Sequence, residues 1–290
     1  MGKVVILGCG DIGQRVAKRC QQQGNSLAGL AHSEKTRANL SNNNIEVLEA
    51  DLDKPETLIN LPTESAQIYY FAPPPKQGCK DSRIRNWLNS LSNKNHPSHI
   101  VLISTTAVYG DSGGDWVTEQ TSTAPGTDRG RRRLDAETAL TQWAQTNNVP
   151  FVILRVPGIY GPGRLPRERI EKANPVLAES ESGYTNRIHA DDLANICLAA
   201  ADKGNSGEIY NVSDGKPGTM TEWFNVVADV LGLQRPPIVT RDEAEKVMSE
   251  GMLSYLAESR RIDNKKMLRE LGVTLQHSDV KEGVLASIDK

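Results

Sequence analysis

Short apolar runs alternate with longer segments of helical hydrophobic spacing through the first two-thirds of the chain. Residues 4–7 form a continuous apolar run, which is typical of a strand buried on both faces of a parallel sheet. Residues 11–23 follow with one apolar helical face, and Gly24 ends this predicted helix. The alternation predicts further strands at 27–31, 45–48, 67–72, 99–103, 149–155 and 208–212, and helices at 82–93, 129–146 and 191–201.

This order of elements predicts an α/β fold, a Rossmann-type doubly wound parallel sheet with a smaller, mainly C-terminal substrate lobe. The pattern loosens after residue 155, and residues 157–163 are predicted to form a loop. Helices predicted at 220–231, 242–256 and 264–271 would supply most of the smaller lobe. We therefore expect an NAD(P)-binding domain at 1–160, rejoined by 190–213, and a smaller lobe at 161–189 and 214–290.

The composition narrows the class of partner. The chain has 290 residues, 38% of them hydrophobic, and a formal net charge of −2, which favours neither nucleic acid nor a membrane surface. No apolar run approaches the roughly 18 residues of a membrane helix, and the first apolar run is too short for a secretory signal. We expect a cytoplasmic monomer or homodimer with a small-molecule substrate.

Metal-ligating residues are sparse in the sequence. The four cysteines are scattered and form no Cys-x-x-Cys pair. His96 and His99 lie three positions apart, with Pro97 between them and no carboxylate or thiol cluster nearby. The sequence therefore predicts no metal site.

A glycine-rich turn follows the first predicted strand and opens the first predicted helix. In such a turn Gly8 permits the tight bend, Gly10 lets the backbone approach a pyrophosphate, and Gly13 lets the helix pack on the strand. The position inside a βαβ unit makes the pattern far more specific than glycines alone. We predict that a nicotinamide dinucleotide binds at this turn, which reads Gly8-Cys9-Gly10-Asp11-Ile12-Gly13.

The end of the second predicted strand favours one dinucleotide over the other. An acidic residue there would bind the ribose hydroxyls of NAD, but Ala31 occupies the position. The residues that follow can donate hydrogen bonds to a 2′-phosphate. NADP is therefore favoured over NAD, with donors at His32, Ser33, Lys35 and Arg37.

Several further motifs lie in a fixed order along the chain. They are Asp51-Leu52, Ala72-Pro73-Pro74, Ser104-Thr105-Thr106-Ala107-Val108-Tyr109-Gly110, the segment 154–163, Arg187-Ile188-His189-Ala190-Asp191-Asp192-Leu193 and Tyr210-Asn211-Val212-Ser213-Asp214. Together with the glycine turn, they resemble the extended short-chain dehydrogenase/reductase family, the NAD-dependent epimerase/dehydratase group. The resemblance covers nearly the whole chain.

The resemblance implies roles for residues at the matching positions. Thr105 would hydrogen-bond the substrate oxygen. Asp51 and Leu52 would lie against the adenine. Further cofactor contacts are implied at Ala72, Pro73, Pro74, Pro157, Gly158, Ile159 and Tyr160, and substrate contacts at Thr106, Arg187 and His189.

The sequence departs from the family pattern at the catalytic pair, Tyr-x-x-x-Lys. Arg129 stands where the Tyr is expected and Arg133 where the Lys is expected, although Gly130, Leu134 and Glu137 fit the surrounding frame. The chain therefore resembles the atypical members that lack the tyrosine.

The substitution changes what the two positions can do. Arginine does not deprotonate in proteins, so Arg129 is no acid or base, but it can clamp an anionic substrate group. Arg133 can take the ribose-binding role of the Lys, and a spacing of four residues puts both arginines on one helix face. Arg131 and Arg132 are interpreted as a solvated basic patch.

Two functions remain open from the sequence. The favoured one is an NAD(P)-dependent oxidoreductase or epimerase acting on a carbonyl or nucleotide-sugar-like substrate. Another residue would then carry the proton, and the candidates are Tyr109, Tyr160, Asp128 and His189. The alternative is a catalytically degenerate protein that binds NADP as a sensor or scaffold.

Overall fold

The computed structural model describes residues 2–91 and 96–288. The strands are β1 (Lys3–Leu7), β2 (Ser26–Leu30), β3 (Glu46–Val47), β4 (Gln67–Tyr70), β5 (His99–Thr105), β6 (Trp116–Val117), β7 (Phe151–Val156), β8 (Gly158–Tyr160), β9 (Val176–Leu177), β10 (Tyr184–Thr185), β11 (Arg187–His189), β12 (Ile209–Asn211), β13 (Gly218–Thr219), β14 (Ile238–Val239) and β15 (Arg261–Ile262). The helices are α1 (Asp11–Gln22), α2 (Glu34–Asn42), α3 (Ser82–Ser90), α4 (Asp128–Asn147), α5 (Arg167–Glu171), α6 (Ala190–Lys203), α7 (Met220–Leu231), α8 (Arg241–Val247), α9 (Glu250–Leu256), α10 (Lys265–Leu271) and α11 (Val280–Ala286).

Seven strands form one parallel sheet in the order β12-β7-β5-β4-β1-β2-β3. The chain builds outward from β1 to β3, then returns to β4 and builds in the other direction. The order reverses between β1 and β4, and ligands of such sheets bind outside the carboxyl ends of the strands at this point. The predicted doubly wound Rossmann-type sheet is confirmed.

Both faces of the sheet are buried, as the continuous apolar runs predicted. Ile6 belongs to a cluster on one face, together with Val16 of α1 and Ile196 of α6. Val5 belongs to a cluster on the other face, with Trp87 of α3 and Leu140 of α4. Successive residues of β1 therefore contact opposite helical layers.

A separate cluster forms among the later elements. It joins Tyr160 of β8, Ile170 of α5, Trp223 and Phe224 of α7 and Val284 of α11. Of the three helices expected to supply the smaller lobe, only the first, now α7, joins this cluster. The second, now α8 and α9, packs in a further cluster with Leu177, and Met267 and Leu271 of α10 belong to the cluster of the sheet face that contains Ile6. The boundaries of the smaller lobe stay a prediction. Within residues 2–91 and 96–288, no helix is both long and apolar enough to cross a membrane.

The predicted elements differ from the structure in three places. The segment 157–163 is not wholly a loop, because its strand β8 pairs in parallel with β11. The predicted helix 242–256 is two helices, α8 and α9, separated by extended Met248 and by Ser249, which caps α9. The predicted loop after Tyr109 contains β6, which pairs with the distant β15. Pairing of this kind depends on tertiary partners that local periodicity does not reveal. The end of the predicted helix 82–93 lies outside the described residues.

Candidate functional site

The glycine turn has the geometry that dinucleotide binding requires. Gly8 has a φ of +92°, and a Cβ added there would lie 2.4 Å from the Ala72 backbone nitrogen. A Cβ on Gly13 would lie 3.1 Å from the Ile6 side chain, so this glycine allows α1 to pack on β1. A Cβ on Gly10 would meet nothing within 4 Å. Gly8 and Gly13 thus serve the fold, while Gly10 leaves open space beside the backbone, where the turn fits a pyrophosphate.

The N-terminus of α1 opens toward that space. Gly10 caps the helix without a side-chain hydrogen bond, so backbone N–H groups stay available to an anion. Asp11 accepts from Arg15 Nε at 3.0 Å and from Arg164 Nε at 2.5 Å. Ile12 is buried in the core beneath. Arg164, which the sequence did not single out, therefore adds a cation beside the turn.

The residues predicted to contact the adenosine half lie near the ends of β2 and β3. His32, Ser33 and Lys35 are exposed at the start of α2, and Ser33 caps that helix by accepting from Thr36 N at 3.2 Å. Asp51 is half-buried and Leu52 is buried in the core under the sheet edge. Their positions are compatible with a nucleoside at this edge.

The segment after β4 forms a wall beside the glycine turn. Ala72 packs against Gly8, and Pro73 O accepts from Arg83 Nη1 at 3.0 Å. Arg83 also binds both carboxylate oxygens of Asp53, at 2.8 and 2.6 Å. Arg83 therefore joins this wall, which includes Pro74, to the loop after β3.

A cavity of about 340 Å³ opens next to the carboxyl ends of β5 and β7. Its lining combines predicted site residues with residues from distant segments. The predicted ones are Thr105, Thr106, Arg129, Arg133, Pro157, Gly158 and Ile159, and the others include Ser104, Tyr184, Asn186, Tyr255, Glu258 and Arg260. The structure thus brings the candidate catalytic and cofactor-facing segments to one cavity, which suits a small ligand.

Thr105 ends β5 and is half-buried at the cavity. Its Oγ1 accepts the Ala107 backbone N–H at 3.3 Å. The hydroxyl proton stays available to a ligand, because a hydroxyl can accept and donate at once. Thr105 can therefore donate a hydrogen bond to a substrate oxygen, the role that the resemblance implies.

The two arginines on α4 differ in their surroundings. Arg133 is half-buried, and its Nη1 donates to the backbone oxygens of Ala72 and Ile103, at 3.2 Å each. Burial lowers the Arg133 pKa from its usual value. Arg129 is exposed, and its Cζ lies 5.8 Å from the ring centroid of Tyr255. Arg133 thus ties β5 to the wall after β4, whereas Arg129 presents its charge to the cavity.

The neighbouring basic residues are not one solvated patch. Arg131 is exposed and pairs with Asp128 at 2.6 Å, as a surface residue does. Arg132 is buried, and its Nη1 donates to Gly78 O at 2.6 Å. The interpretation of Arg132 as solvated was wrong, because α4 packs this face against the segment after β4.

A buried ion pair lies directly behind Thr105. Glu137 accepts from Arg155 Nη2 at 2.7 Å and from Ser104 Oγ at 2.5 Å. Both charged side chains are 5% exposed. The pair holds α4, β5 and β7 together at the base of the cavity.

Four of the candidate proton carriers and substrate residues lie away from the cavity lining. The Tyr109 hydroxyl donates to Asn211 Oδ1 at 2.7 Å in a buried cluster, and Asp128 is paired with Arg131. Tyr160 and His189 are buried, with their rings 5.2 Å apart. None of these four residues lines the cavity, so their positions give no support to a proton-carrying role.

Arg187 lies behind the cavity wall. Its Cγ stands 3.9 Å from the Cβ position of Gly158, and its Cζ lies 4.6 Å from the Trp223 ring centroid. Burial lowers the Arg187 pKa to about 10. Among the described residues, this guanidinium has no carboxylate within salt-bridge distance, so its charge contributes to a positive field under the cavity.

One cluster has the composition of a metal site. His189, Asp191 and His277 bring their donor atoms within 4.8 Å of one another. The Asp191 carboxylate already accepts from Arg15 at 2.9 Å and Arg19 at 3.0 Å. His189 Nδ1 accepts the Asp191 N–H at 3.2 Å, capping α6. These partners compete with a cation, so the arrangement serves first to join α1, α6 and the C-terminal segment.

Sequence reasoning missed the residues that complete the cavity. Tyr184 and Tyr255 come from the short elements β10 and α9, and Glu258 comes from the loop between α9 and β15, all without a recognisable motif. Asn186 joins the segments by donating to Arg260 O at 2.9 Å and accepting from Ile262 N at 2.9 Å. No local signal in the sequence marks these residues, because only the pairing of distant segments brings them together.

Part of the chain is similar to a curated bacterial protein. Protein YeeZ of Escherichia coli (strain K12) is 30% identical over 185 residues, which are 62% of this chain and 59% of YeeZ. The chain thus matches less than two thirds of that relative's length.

Solved structures match over nearly the full chain. A functionally unknown conserved protein from Silicibacter pomeroyi is similar with a TM-score of 0.83 and 26% identity, covering 99% of this chain and 98% of that one. The dTDP-glucose 4,6-dehydratase of Bacillus anthracis, solved in complex with NAD, has the same fold, with a TM-score of 0.80, 17% identity and coverage of 99% and 95%. Residues 4–213 match the profile of the NAD dependent epimerase/dehydratase family. The chain therefore belongs to the NAD dependent epimerase/dehydratase family.

Proposed function

We propose that the protein is an NAD(P)-dependent oxidoreductase or epimerase that acts on a carbonyl or nucleotide-sugar-like substrate with non-standard acid/base residues. The observation that carries the proposal is the position of two features on one sheet edge. The glycine turn after β1 leaves space beside Gly10, and the cavity at the ends of β5 and β7 presents Thr105 and Gly158. A dinucleotide laid along this edge would extend from the turn to the cavity.

The proposal assigns dinucleotide binding and substrate orientation to different residues. Backbone N–H groups at the start of α1 would hold the pyrophosphate, and the 157–159 segment would line the nicotinamide. A bound nicotinamide dinucleotide supplies or accepts hydride. Thr105 orients the substrate oxygen by donating its hydroxyl proton as a hydrogen bond.

The cavity favours a substrate that carries negative charge. Among the described residues, Arg129 has no carboxylate partner, and its exposed guanidinium lines the cavity. Its planar fork binds a carboxylate or phosphate through two hydrogen bonds. An anionic group on the substrate is therefore part of the proposal.

NADP is the proposed form of the dinucleotide. The support is the set of exposed donors His32 and Lys35 beside the start of α2, where a 2′-phosphate would lie. Arg37 is nearby but pairs with Glu49. Isothermal titration with NADPH and NADH tests this proposal. Lys35→Ala should weaken NADPH binding about tenfold, as loss of one charge-assisted hydrogen bond implies, and leave NADH unchanged.

Turnover tests the enzymatic function. Purified protein with NADPH or NADH is screened against carbonyl compounds, and with the oxidised forms against nucleotide sugars, by following reduced-nicotinamide absorbance. Activity should be lost in Thr105→Val and kept in Thr138→Val, whose hydroxyl bonds only to its own helix. Dinucleotide binding without turnover across the panel would support the sensor or scaffold role instead.

A further inference from the structure

Tyr255 places a phenol at the cavity beside the segment that faces the proposed nicotinamide site. It belongs to α9 and lines the cavity together with Thr105. Its hydroxyl oxygen lies 3.9 Å from the point where a Cβ on Gly158 would lie, so it is close to the backbone of that residue. Within the part of the chain that the structure describes, this hydroxyl makes no hydrogen bond to another residue. It is therefore available to a ligand.

Two arginines lie near the Tyr255 side chain. Arg129 lies over the ring with its Cζ 5.8 Å from the centroid, within the range of a cation–π contact. Arg187 lies near the same part of the cavity wall, because its Cγ and the Tyr255 hydroxyl oxygen are each 3.9 Å from the point where a Cβ on Gly158 would lie. Tyr255 is therefore a phenol with two arginines close to it.

Tyr184 and Glu258 also line the cavity with groups that can exchange a proton. Tyr184 is 41% exposed, and its ring packs against Gly114 and under Arg261, whose Cζ lies 5.1 Å from the centroid. Glu258 pairs with Arg260 through Oε2, and its buried Oε1 makes no hydrogen bond within the described residues. Neither residue has an atom closer than the Tyr255 hydroxyl to the point where a Cβ on Gly158 would lie.

We propose that Tyr255 exchanges the proton with the substrate oxygen. It would take over the role of the family's catalytic tyrosine, whose position in this chain is occupied by Arg129. The inference rests on the proposed function. In the reducing direction, the carbonyl carbon accepts hydride from the reduced dinucleotide, and the C=O π electrons move to the oxygen. That oxygen takes the proton of the Tyr255 hydroxyl, and the phenolate regains a proton from solvent. The dinucleotide is left oxidised, so electrons and protons balance.

Nitration by tetranitromethane tests the placement without requiring a substrate. Of the seven tyrosines, Tyr184 and Tyr255 are the two that are not buried, so both should be nitrated in the free protein, as measured by peptide mass spectrometry. Saturating NADP⁺ should suppress nitration of Tyr255 and leave Tyr184 reactive. Equal nitration of Tyr255 with and without bound NADP⁺ would overturn the assignment.

The same experiment separates the two proposals. The melting temperature is measured with NADP⁺ and NAD⁺ before nitration. If neither raises it, the proposed function fails and the role of Tyr255 falls with it. If either raises it while Tyr255 stays unprotected, only the assignment of Tyr255 fails.

Kinetic variants supply a second measurement on a substrate found in the screen. Tyr255→Phe keeps the ring under Arg129, so dinucleotide affinity should be unchanged, while kcat falls by about 100-fold, as expected for loss of a general acid or base. Tyr69→Phe is the matched control and should retain kcat, because the Tyr69 hydroxyl is buried outside the cavity lining, where it accepts from Gln67 Nε2 at 2.6 Å. A Tyr255→Phe enzyme with undiminished kcat contradicts the proposal.

Discussion

At the scale of single residues, surroundings decide what each side chain does more than residue type does. Arg129, Arg132 and Arg133 lie within five positions on one helix. The first is exposed at the cavity, the second is buried against Gly78, and the third ties Ala72 to β5. Sequence spacing placed Arg129 and Arg133 on one face, but it did not reveal that Arg132 is buried.

Gly8 and Gly10 of the turn should respond differently to substitution by alanine. Gly8→Ala forces a Cβ to within 2.4 Å of backbone at a φ of +92°, so the protein should be destabilised. Gly10→Ala meets no protein atom and should leave the melting temperature unchanged while weakening dinucleotide binding. Gly251→Ala, also unobstructed, is the control for both measurements. Unchanged NADP⁺ affinity in Gly10→Ala would contradict the placement of the pyrophosphate.

The buried pair behind Thr105 should be costly to break. Glu137→Gln leaves the Arg155 charge uncompensated in the core, so the free energy of unfolding should fall by about 3–5 kcal/mol in denaturant titrations. Glu168→Gln removes an exposed pair with Lys172 and should cost less than about 1 kcal/mol. Similar losses in both variants would show that the Glu137 pair does not stabilise the site.

At the scale of elements, the sheet edge is assembled by short segments from far along the chain. β8 pairs with β11 and β6 with β15. The cavity-lining residues Gly158, Asn186 and Arg260 lie in or next to these strands. The segment after α10 is also held by a residue from far away in the chain, here through a side chain. Asp192 of α6 is buried and accepts from the N–H groups of Gln276 and His277 at 2.8 and 2.9 Å.

Removing that carboxylate should loosen the C-terminal segment selectively. Asp192→Ala strands two backbone donors, so the amides of 276 and 277 should exchange faster with deuterium, and stability should fall by about 1–3 kcal/mol. Asp202→Ala, exposed near the end of the same helix, should change neither value. Unaltered exchange at 276 and 277 would show that other contacts hold the segment.

At the scale of the whole molecule, buried titratable groups make stability depend on pH. Burial lowers the His189 pKa from 6.5 to about 4, since its charged form is disfavoured in the fold. The unfolded chain then binds the proton more readily, so this stabilising contribution is complete above pH 6.5 and is lost as the pH falls toward 4. Burial raises the Asp214 pKa from 3.8 to about 7, and that contribution is lost as the pH rises from 3.8 toward 7.

Replacing the histidine should flatten the acid side of the stability curve. His189→Asn retains a side-chain oxygen that can cap α6 but does not titrate. Between pH 6.5 and 4, its unfolding free energy should fall less than that of the wild type, by up to ~3 kcal/mol, the equivalent of the pKa shift of His189. His32→Asn, on the exposed edge, should follow the wild type. Parallel curves for His189→Asn and the wild type would refute the buried neutral histidine.

Most of the central fold could be predicted because its signals are local. Continuous apolar runs, helical spacing and the turn at Gly8–Gly13 each specify their element within a few residues, and β–α alternation specifies a parallel sheet. The glycine turn after β1 was predictable for the same reason, whereas the site residues after β4, at the end of β5 and at 157–159 were predicted from the resemblance to the family.

The sequence by itself determined the Rossmann-type sheet and the glycine turn, and the family resemblance singled out Thr105, two residues after the predicted end of the fifth strand. Only the tertiary structure decided which distant side chains meet Thr105: Tyr184, Asn186, Tyr255, Glu258 and Arg260. It also directed Tyr109 and His189 into buried contacts away from the cavity. The physical reason is that these encounters depend on packing between segments far apart in the chain, and hydrophobic periodicity specifies which face is buried but not its partner.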